Sequence, residues 1–361
     1  MQTLHHIFIG ASQKMSHTND SSVDLIVTSP PYPMIEMWDE IMSQQNPKIA
    51  EALKSHPEEA FELMHQELDM VWKECFRVLK NGGFLCVNIG DATRTINSNF
   101  KLYNNHARIV KACAELGFIG LPNIIWRKQT NAPNKFMGSG MLPCGAYVTL
   151  EHEWILIFRK GDKRTYKNAT EKQNRMQSSY FWEERNIWFS DVWEVKGTKQ
   201  TLFQSKTRER SAAFPFEIPY RLINMFSQRN DVVLDPFLGI GTTMQAAILC
   251  GRNSCGYEID SEFESIILDG IRAINIDTFN TIIKQRVDAH KEFIADRQRC
   301  GKDVAHFNEV LKVPVMTSQE ESLTFNYLSE IACKDSNDIS AQYTEDSDFS
   351  SLPLPKQNSI F

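Results

Sequence analysis

Apolar residues fall into two rhythms along this 361-residue chain. Short unbroken runs closed by Gly, Pro or an acid read as buried strands: residues 6–10, 25–27, 84–89, 119–126, 153–159, 232–234 and 253–258. Three- and four-residue spacing marks helices instead. Phe61, Met64, Leu68, Val71, Trp72, Cys75, Phe76 and Leu79 form one such stripe, a packing face that Asn81-Gly82-Gly83 should stop. Further helices are expected at 106–116, from Thr242 to a stop at Gly251, and over the charged stretch 278–299. Strands alternating with helices predict an α/β fold.

Three stretches break the rhythm. Residues 33–56 have weak periodicity and read as a loop with helical turns near a cleft, or equally as a surface insertion. Residues 128–150 are rich in Asn, Pro and Gly and read as a long loop, a kind that is usually functional inside a compact domain. From 319 onward the chain is rich in Ser, Asp and Glu apart from 325–331, and its last thirty residues read as flexible.

Composition adds little until it is localised. The apolar fraction of 42% supports a full core, and the net charge of -6 argues against a wholly basic coat. Residues 159–210, however, hold thirteen Lys and Arg against seven acids, interleaved with Tyr166, Tyr180, Phe181, Trp182, Trp188, Phe189 and Trp193. That local excess of +6 suits a nucleic-acid contact region, with Lys163, Arg164, Lys167, Arg185 and Lys196 as candidate phosphate contacts. The eight cysteines show no Cys-x-x-Cys and read as free thiols, the histidines show no metal spacing, and no apolar run has membrane-spanning length. A soluble intracellular protein without a metal is expected.

The candidate chemistry sits in two turns. In Val23-Asp24-Leu25-Ile26-Val27-Thr28-Ser29-Pro30-Pro31-Tyr32 a strand ends at two prolines, which forbid helix and ladder alike. The Ser29 hydroxyl, the Pro30 carbonyl and the Tyr32 ring are thereby held at a strand's carboxyl end, where open α/β sheets bind ligands. The second turn is Asp235-Pro236-Phe237-Leu238-Gly239-Ile240-Gly241-Thr242-Thr243. No lysine follows Gly241, so it is not a P-loop, and Asp235 would repel a pyrophosphate. An acid at the strand end suits an ammonium group, and the amides after Gly241 suit a carboxylate. Glu258, ending the next strand, is placed to hold a ribose diol. An amino acid joined to a ribose describes S-adenosyl-L-methionine.

Ser29-Pro-Pro-Tyr32 ahead of Asp235-Pro-Phe-x-Gly239-x-Gly241-Thr-Thr243 resembles the amino-group DNA methyltransferases, which modify N4 of cytosine or N6 of adenine, in their beta arrangement. The resemblance covers roughly residues 5–275. It implies a Rossmann-like methyltransferase sheet with helices on both faces, a circularly rearranged motif order and a small target-recognition insertion. Within it, Ser29, Pro30, Pro31 and Tyr32 would be catalytic, and Asp235, Pro236, Phe237, Gly239, Gly241, Thr242, Glu258 and Phe214 would hold S-adenosyl-L-methionine. Phe214 enters through Ser211-Ala-Ala-Phe214-Pro215, which is similar to the family's motif before the cofactor strand. Gly10-Ala11 departs from the family's Gly-Asp, so Ser12 or backbone would have to meet the adenine amino group.

On this reading residues 1–159 and 211–276 are the catalytic and cofactor-binding halves, 160–210 the recognition region, 277–330 a helical extension and 331–361 an acidic tail. The resemblance further implies double-stranded DNA as partner, a cognate restriction endonuclease as companion, a homodimer, and a place at the nucleoid of a prokaryotic cell or phage host. Ser at the first motif position accompanies N4-cytosine in the family more than N6-adenine. Adenine N6 methylation, methylation of RNA or protein, and a non-catalytic nucleic-acid-binding protein stay open as alternatives. Pro143-Cys144 is similar to the nucleophile motif of cytosine C5 enzymes, while Asp91 reads as a strand cap or a residue lining the site.

Overall fold

A computed structural model of the protein describes residues 1–128, 137–196 and 214–344. Its frame is an 11-stranded mixed sheet made of β1 (Gln2–Ile9), β2 (Val23–Thr28), β3 (Leu79–Ile89), β4 (Phe118–Gly120), β5 (Ile124–Arg127), β6 (His152–Lys160), β7 (Val192–Trp193), β8 (Val232–Asp235), β9 (Asn253–Glu258), β10 (Tyr327–Cys333) and β11 (Ile339–Thr344). The strand order is β7-β5-β6-β3-β2-β8-β9-β1-β11-β10, with β4 also paired to β6. The central run β3-β2-β8-β9-β1 is parallel, and antiparallel β6 and β11 flank it.

The chain leaves β2 toward β3 on one side, and much later leaves β8 toward β9 on the other. The order therefore reverses between β2 and β8, and a crevice opens where the two connections part. Both candidate turns follow these two strands.

The helices are α1 (Asp39–Gln45), α2 (Pro47–Ser55), α3 (Pro57–Val78), α4 (Asn105–Glu115), α5 (Ala169–Gln177), α6 (Trp182–Trp188), α7 (Glu217–Phe226), α8 (Thr242–Leu249), α9 (Glu262–Arg272) and α10 (Ile276–Arg299). All six residues of β2 are buried because both of its faces are covered. Ile26 packs with Val71, Trp72 and Cys75 of α3, whereas Leu25 and Val27 pack with Ile218 and Leu222 of α7 and Ala246 of α8. Alternate side chains of one strand point to opposite faces, so these are two separate layers of core. The apolar run without alternation at 25–27 has this origin.

Several sequence expectations shift. Residues 33–56 hold α1 and α2, with Met42, Ile49 and Ala52 buried against α3; short helices with few apolar positions leave only a faint period. Asn81-Gly82-Gly83 does not stop α3, which already ends at Val78; these residues lie inside β3, at a register break against β2. The run at 119–126 is split into β4 and β5. Within 128–150, Met137–Gly138 pairs with Ala146–Tyr147 in a small hairpin.

The largest difference is C-terminal. The expected tail from 331 begins inside β10, and β11 extends to Thr344, closing the sheet against β1. Ile339, Ala341 and Tyr343 are buried between polar neighbours, a period-two pattern too brief to stand out in polar sequence. The extension expected to be helical over 277–330 holds only one long helix, α10, followed by a small hairpin of His306–Asn308 with Val313–Val315. Among the described residues no helix is long and apolar enough to cross a membrane.

Candidate active site

The two turns face each other across a cleft of about 1120 Å³ that includes open solvent. From the turn after β2 come Ser29, Pro30, Pro31 and Tyr32; from the turn after β8 come Asp235, Pro236, Phe237, Gly239 and Thr242; Glu258 and Phe214 complete the set expected from sequence. Gly241 does not reach the cleft. It caps α8 with φ +83, and a Cβ there would stand 2.9 Å from Ile267, so this position excludes a side chain on two counts. Ser12 lines the same cleft beside Gly10 and Gln13.

Tyr32 is held by its hydroxyl. That group donates to Glu153 Oε2 at 2.9 Å, accepts from Asn88 Nδ2 at 2.8 Å, and lies 3.1 Å from Ser29 Oγ. Asn88 Nδ2 also reaches Glu153 Oε2 at 2.7 Å, and Lys128 pairs with the other Glu153 oxygen. The ring passes close over Gly90, where a Cβ would meet Tyr32 Cε2 at 2.9 Å. Asn88, Lys128 and Glu153 escaped the sequence reading. The one signal for Asn88 is its polarity inside the otherwise apolar run of β3, and Glu153 carries the same mark at the start of β6. Trp38, Ile41 and Gln45, from the segment before and within α1, were also missed as lining residues.

Asp235 is 3% exposed and accepts from Thr28 Oγ1 at 2.6 Å, Thr243 Oγ1 at 2.6 Å and Phe237 N at 3.0 Å. None of the ion pairs among the described residues involves it. Burial therefore pushes its carboxyl up to about 6 despite those donors. Glu258 binds the amides of Gly239 at 2.8 Å and Asp260 at 3.0 Å, and burial pushes it up to about 7. Two carboxylates with no ion pair among the described residues make a strong seat for a ligand ammonium and hydroxyls.

An acid whose folded value is raised keeps its proton longer in the native state, so the ligand-free protein loses stability as pH climbs from about 4 to about 7. A cationic ligand needs the ionised form, so S-adenosyl-L-methionine affinity should rise from pH 5.5 to 7.5. Calorimetry at pH 6 in two buffers of different ionisation enthalpy should show protons released on binding; equal heats would remove this assignment.

Asp91 is a cap, accepting from His106 N at 3.1 Å at the start of α4. Cys144 is an exposed free thiol outside the cleft lining. The basic candidates scatter. Arg164 is committed to Asp231 at 2.7 Å and Asp24 at 3.5 Å, residues at the amino ends of β8 and β2. Lys163 and Lys167 neighbour it, after the carboxyl end of antiparallel β6, so all three sit at the end of the sheet away from Ser29. A charge count carries no information about sheet ends and did not anticipate this placement. Arg185 packs over the Phe189 ring at 5.6 Å. Lys196 follows β7, which runs parallel to β5, and so emerges on the cleft side. Lys199, Lys206, Arg208 and Arg210 lie outside the described residues.

Comparison with known proteins agrees with the site. Residues 23–269 match the model of the N6/N4 methyltransferase family, described as DNA methylase. The type II methyltransferase M.MthZI of Methanothermobacter thermautotrophicus is 49% identical over 330 residues, 91% of each chain. The type II methyltransferase M.MjaI of Methanocaldococcus jannaschii is 50% identical over 281 residues, 74% of this chain and 91% of its own. Among solved structures, a protein of Thermus thermophilus assigned as a DNA modification methylase, in complex with S-adenosyl-L-methionine, is 30% identical with a TM-score of 0.58, covering 74% of this chain and 93% of its own. The cytosine-N4-specific PvuII DNA methyltransferase shares the fold at 16% identity and a TM-score of 0.52, over 78% of this chain and 94% of its own.

Proposed function

Because the chain belongs to the N6/N4 amino DNA methyltransferase family, we propose that it methylates N4 of cytosine in duplex DNA, as the modification enzyme of a restriction-modification system. It is a DNA methyltransferase, and its cofactor is S-adenosyl-L-methionine. The observation that carries the choice of base is Ser29, a short neutral hydroxyl at the end of β2.

The residues present fit the cofactor. Asp235 offers a buried carboxylate without a counter-ion among the described residues, Glu258 ends the neighbouring strand, and Phe214 and Phe237 supply apolar walls. When bound, S-adenosyl-L-methionine supplies a methyl group activated on a sulfonium. An exocyclic amine is a poor nucleophile because its lone pair is delocalised into the ring. Ser29 Oγ and the Pro30 carbonyl accept its two hydrogens, favouring a pyramidal nitrogen whose lone pair faces the methyl carbon. The base must leave the helix to reach them, and the Tyr32 ring gives it a surface to stack on. Positioning does the greater part of the work.

Such a base comes from a duplex lying over the carboxyl ends of β2 and β8. That favours Lys196 as a phosphate contact over the Arg164 group within the recognition region 160–210. The beta motif order fits this frame, with 1–159 and 211–276 as its two halves.

Mass spectrometry of nucleosides from DNA of cells expressing the protein should show N4-methylcytosine, and its amount should collapse with Ser29→Ala. N6-methyladenine alone would overturn the base while leaving the chemistry.

A further inference from the structure

The Tyr32 hydroxyl has one proton, and that proton points to Glu153 Oε2 at 2.9 Å. In the 3.1 Å contact between Ser29 Oγ and Tyr32 the donor is then Ser29, because the tyrosine proton is already used. The direction has a consequence at the cleft, since Ser29 presents only lone pairs to an incoming amine. Lys128 fixes the far oxygen of Glu153, and Asn88 Nδ2 bonds both Tyr32 and Glu153, so the order of donors and acceptors is set from the rear.

We propose that Glu153 is the terminal acceptor of a hydrogen-bond chain through Tyr32 to Ser29, which orients Ser29 as an acceptor and removes the proton that the methylated nitrogen must lose. The proposal rests on the amine-methylation reading above. As the nitrogen–carbon bond forms and the carbon–sulfur bond breaks, its electron pair staying on sulfur, the nitrogen becomes cationic. Its proton passes to Ser29 Oγ, the Ser29 proton to the Tyr32 oxygen, and the Tyr32 proton to the Glu153 carboxylate. The methylated amine ends neutral, Ser29 and Tyr32 regain a proton each, and Glu153 ends as the neutral acid until solvent takes the proton. Burial and the neighbouring Glu153 hold the phenol well above its usual range, which suits transfer through Tyr32 without a standing phenolate. Among the described residues, the groups facing Glu153 are Tyr32 from the turn after β2, Asn88 from β3 and Lys128 after β5, with Glu151 and His152 preceding it in its own segment. Glu153 acts through Tyr32 and Ser29 and is a positioning residue.

The test is Glu153→Gln in the full chain, with single-turnover methyl transfer to duplex DNA at saturating cofactor. The rate should fall about a hundredfold, the usual scale for lost proton transfer. The affinities for DNA and cofactor should hold, and Glu153→Asp should restore part of the rate. A wild-type rate in Glu153→Gln would overturn the chain. If that variant loses cofactor binding through misfolding, Tyr32→Phe, which keeps the ring and cuts the relay, must show the same fall in rate with unchanged affinities; a wild-type rate there would reject the proposal. A wild-type protein inactive on DNA would sink the functional reading instead. The relay is then judged in the resting protein by the carbon-13 resonance of the Tyr32 hydroxyl-bearing carbon, which must move in Glu153→Gln; an unmoved resonance rejects it.

Discussion

Replacing Asp235 with asparagine is expected to weaken S-adenosyl-L-methionine binding roughly ten- to hundredfold, the scale of a lost hydrogen bond to a charged group at about 1.5–3 kcal/mol. The same variant should leave the ligand-free protein at least as stable as wild type at pH 8. Both outcomes come from one fact, the absence of any ion pair to a buried carboxylate among the described residues. Raising an aspartate from 3.8 to about 6 means that keeping it charged costs about 3 kcal/mol, which the amide avoids. Asparagine can still accept from Thr28 and Phe237, and Thr243 can turn to accept from its amide. Alanine differs, because it leaves the donors of Thr28, Thr243 and Phe237 without a partner and should cost roughly 2–4 kcal/mol of stability besides the binding loss. Titration calorimetry and thermal melts separate the two variants. Wild-type affinity in Asp235→Asn would remove the ammonium from this position.

Tyr32→Ala is expected to cut methyl transfer a hundredfold or more while changing duplex affinity by a few-fold. Phosphate contacts carry most DNA binding, whereas on the proposed reading the ring meets only the flipped base. Stacking on an aromatic is worth about 1–3 kcal/mol, and the hydroxyl adds its role in holding Ser29, Asn88 and Glu153 in order. Tyr32→Phe keeps the stack and loses only that order, so its rate should fall between alanine and wild type. Rates of methyl incorporation set beside fluorescence anisotropy on the same duplex decide the matter. An alanine variant with wild-type turnover places the chemistry elsewhere.

The two turns were legible because their chemistry is written in adjacent residues. Pro30-Pro31 must end a strand, and Gly239-x-Gly241 after an acid must turn into a helix, so local rules suffice. The support behind Tyr32 was not legible, because Glu153 lies 121 positions away and reaches it only through the antiparallel register of β6 on β3. The placement of charge was not legible for the same reason. Arg164 is basic like Lys196, but which end of the sheet each occupies depends on strand direction, which composition does not carry. Strand β11 was hidden by its own polarity, since only Ile339, Ala341 and Tyr343 face the core.

Thr28 spans the two halves of the cleft. Its hydroxyl bonds Asp235 in the cofactor turn, and its carbonyl carbon is joined directly to the nitrogen of Ser29 in the acceptor turn. A displacement of Asp235 toward a ligand cation is therefore carried to Ser29 through one hydrogen bond and one peptide. If cofactor occupancy tightens the grip on the flipped base along this path, reciprocity requires the base to strengthen the hold on the cofactor by the same factor.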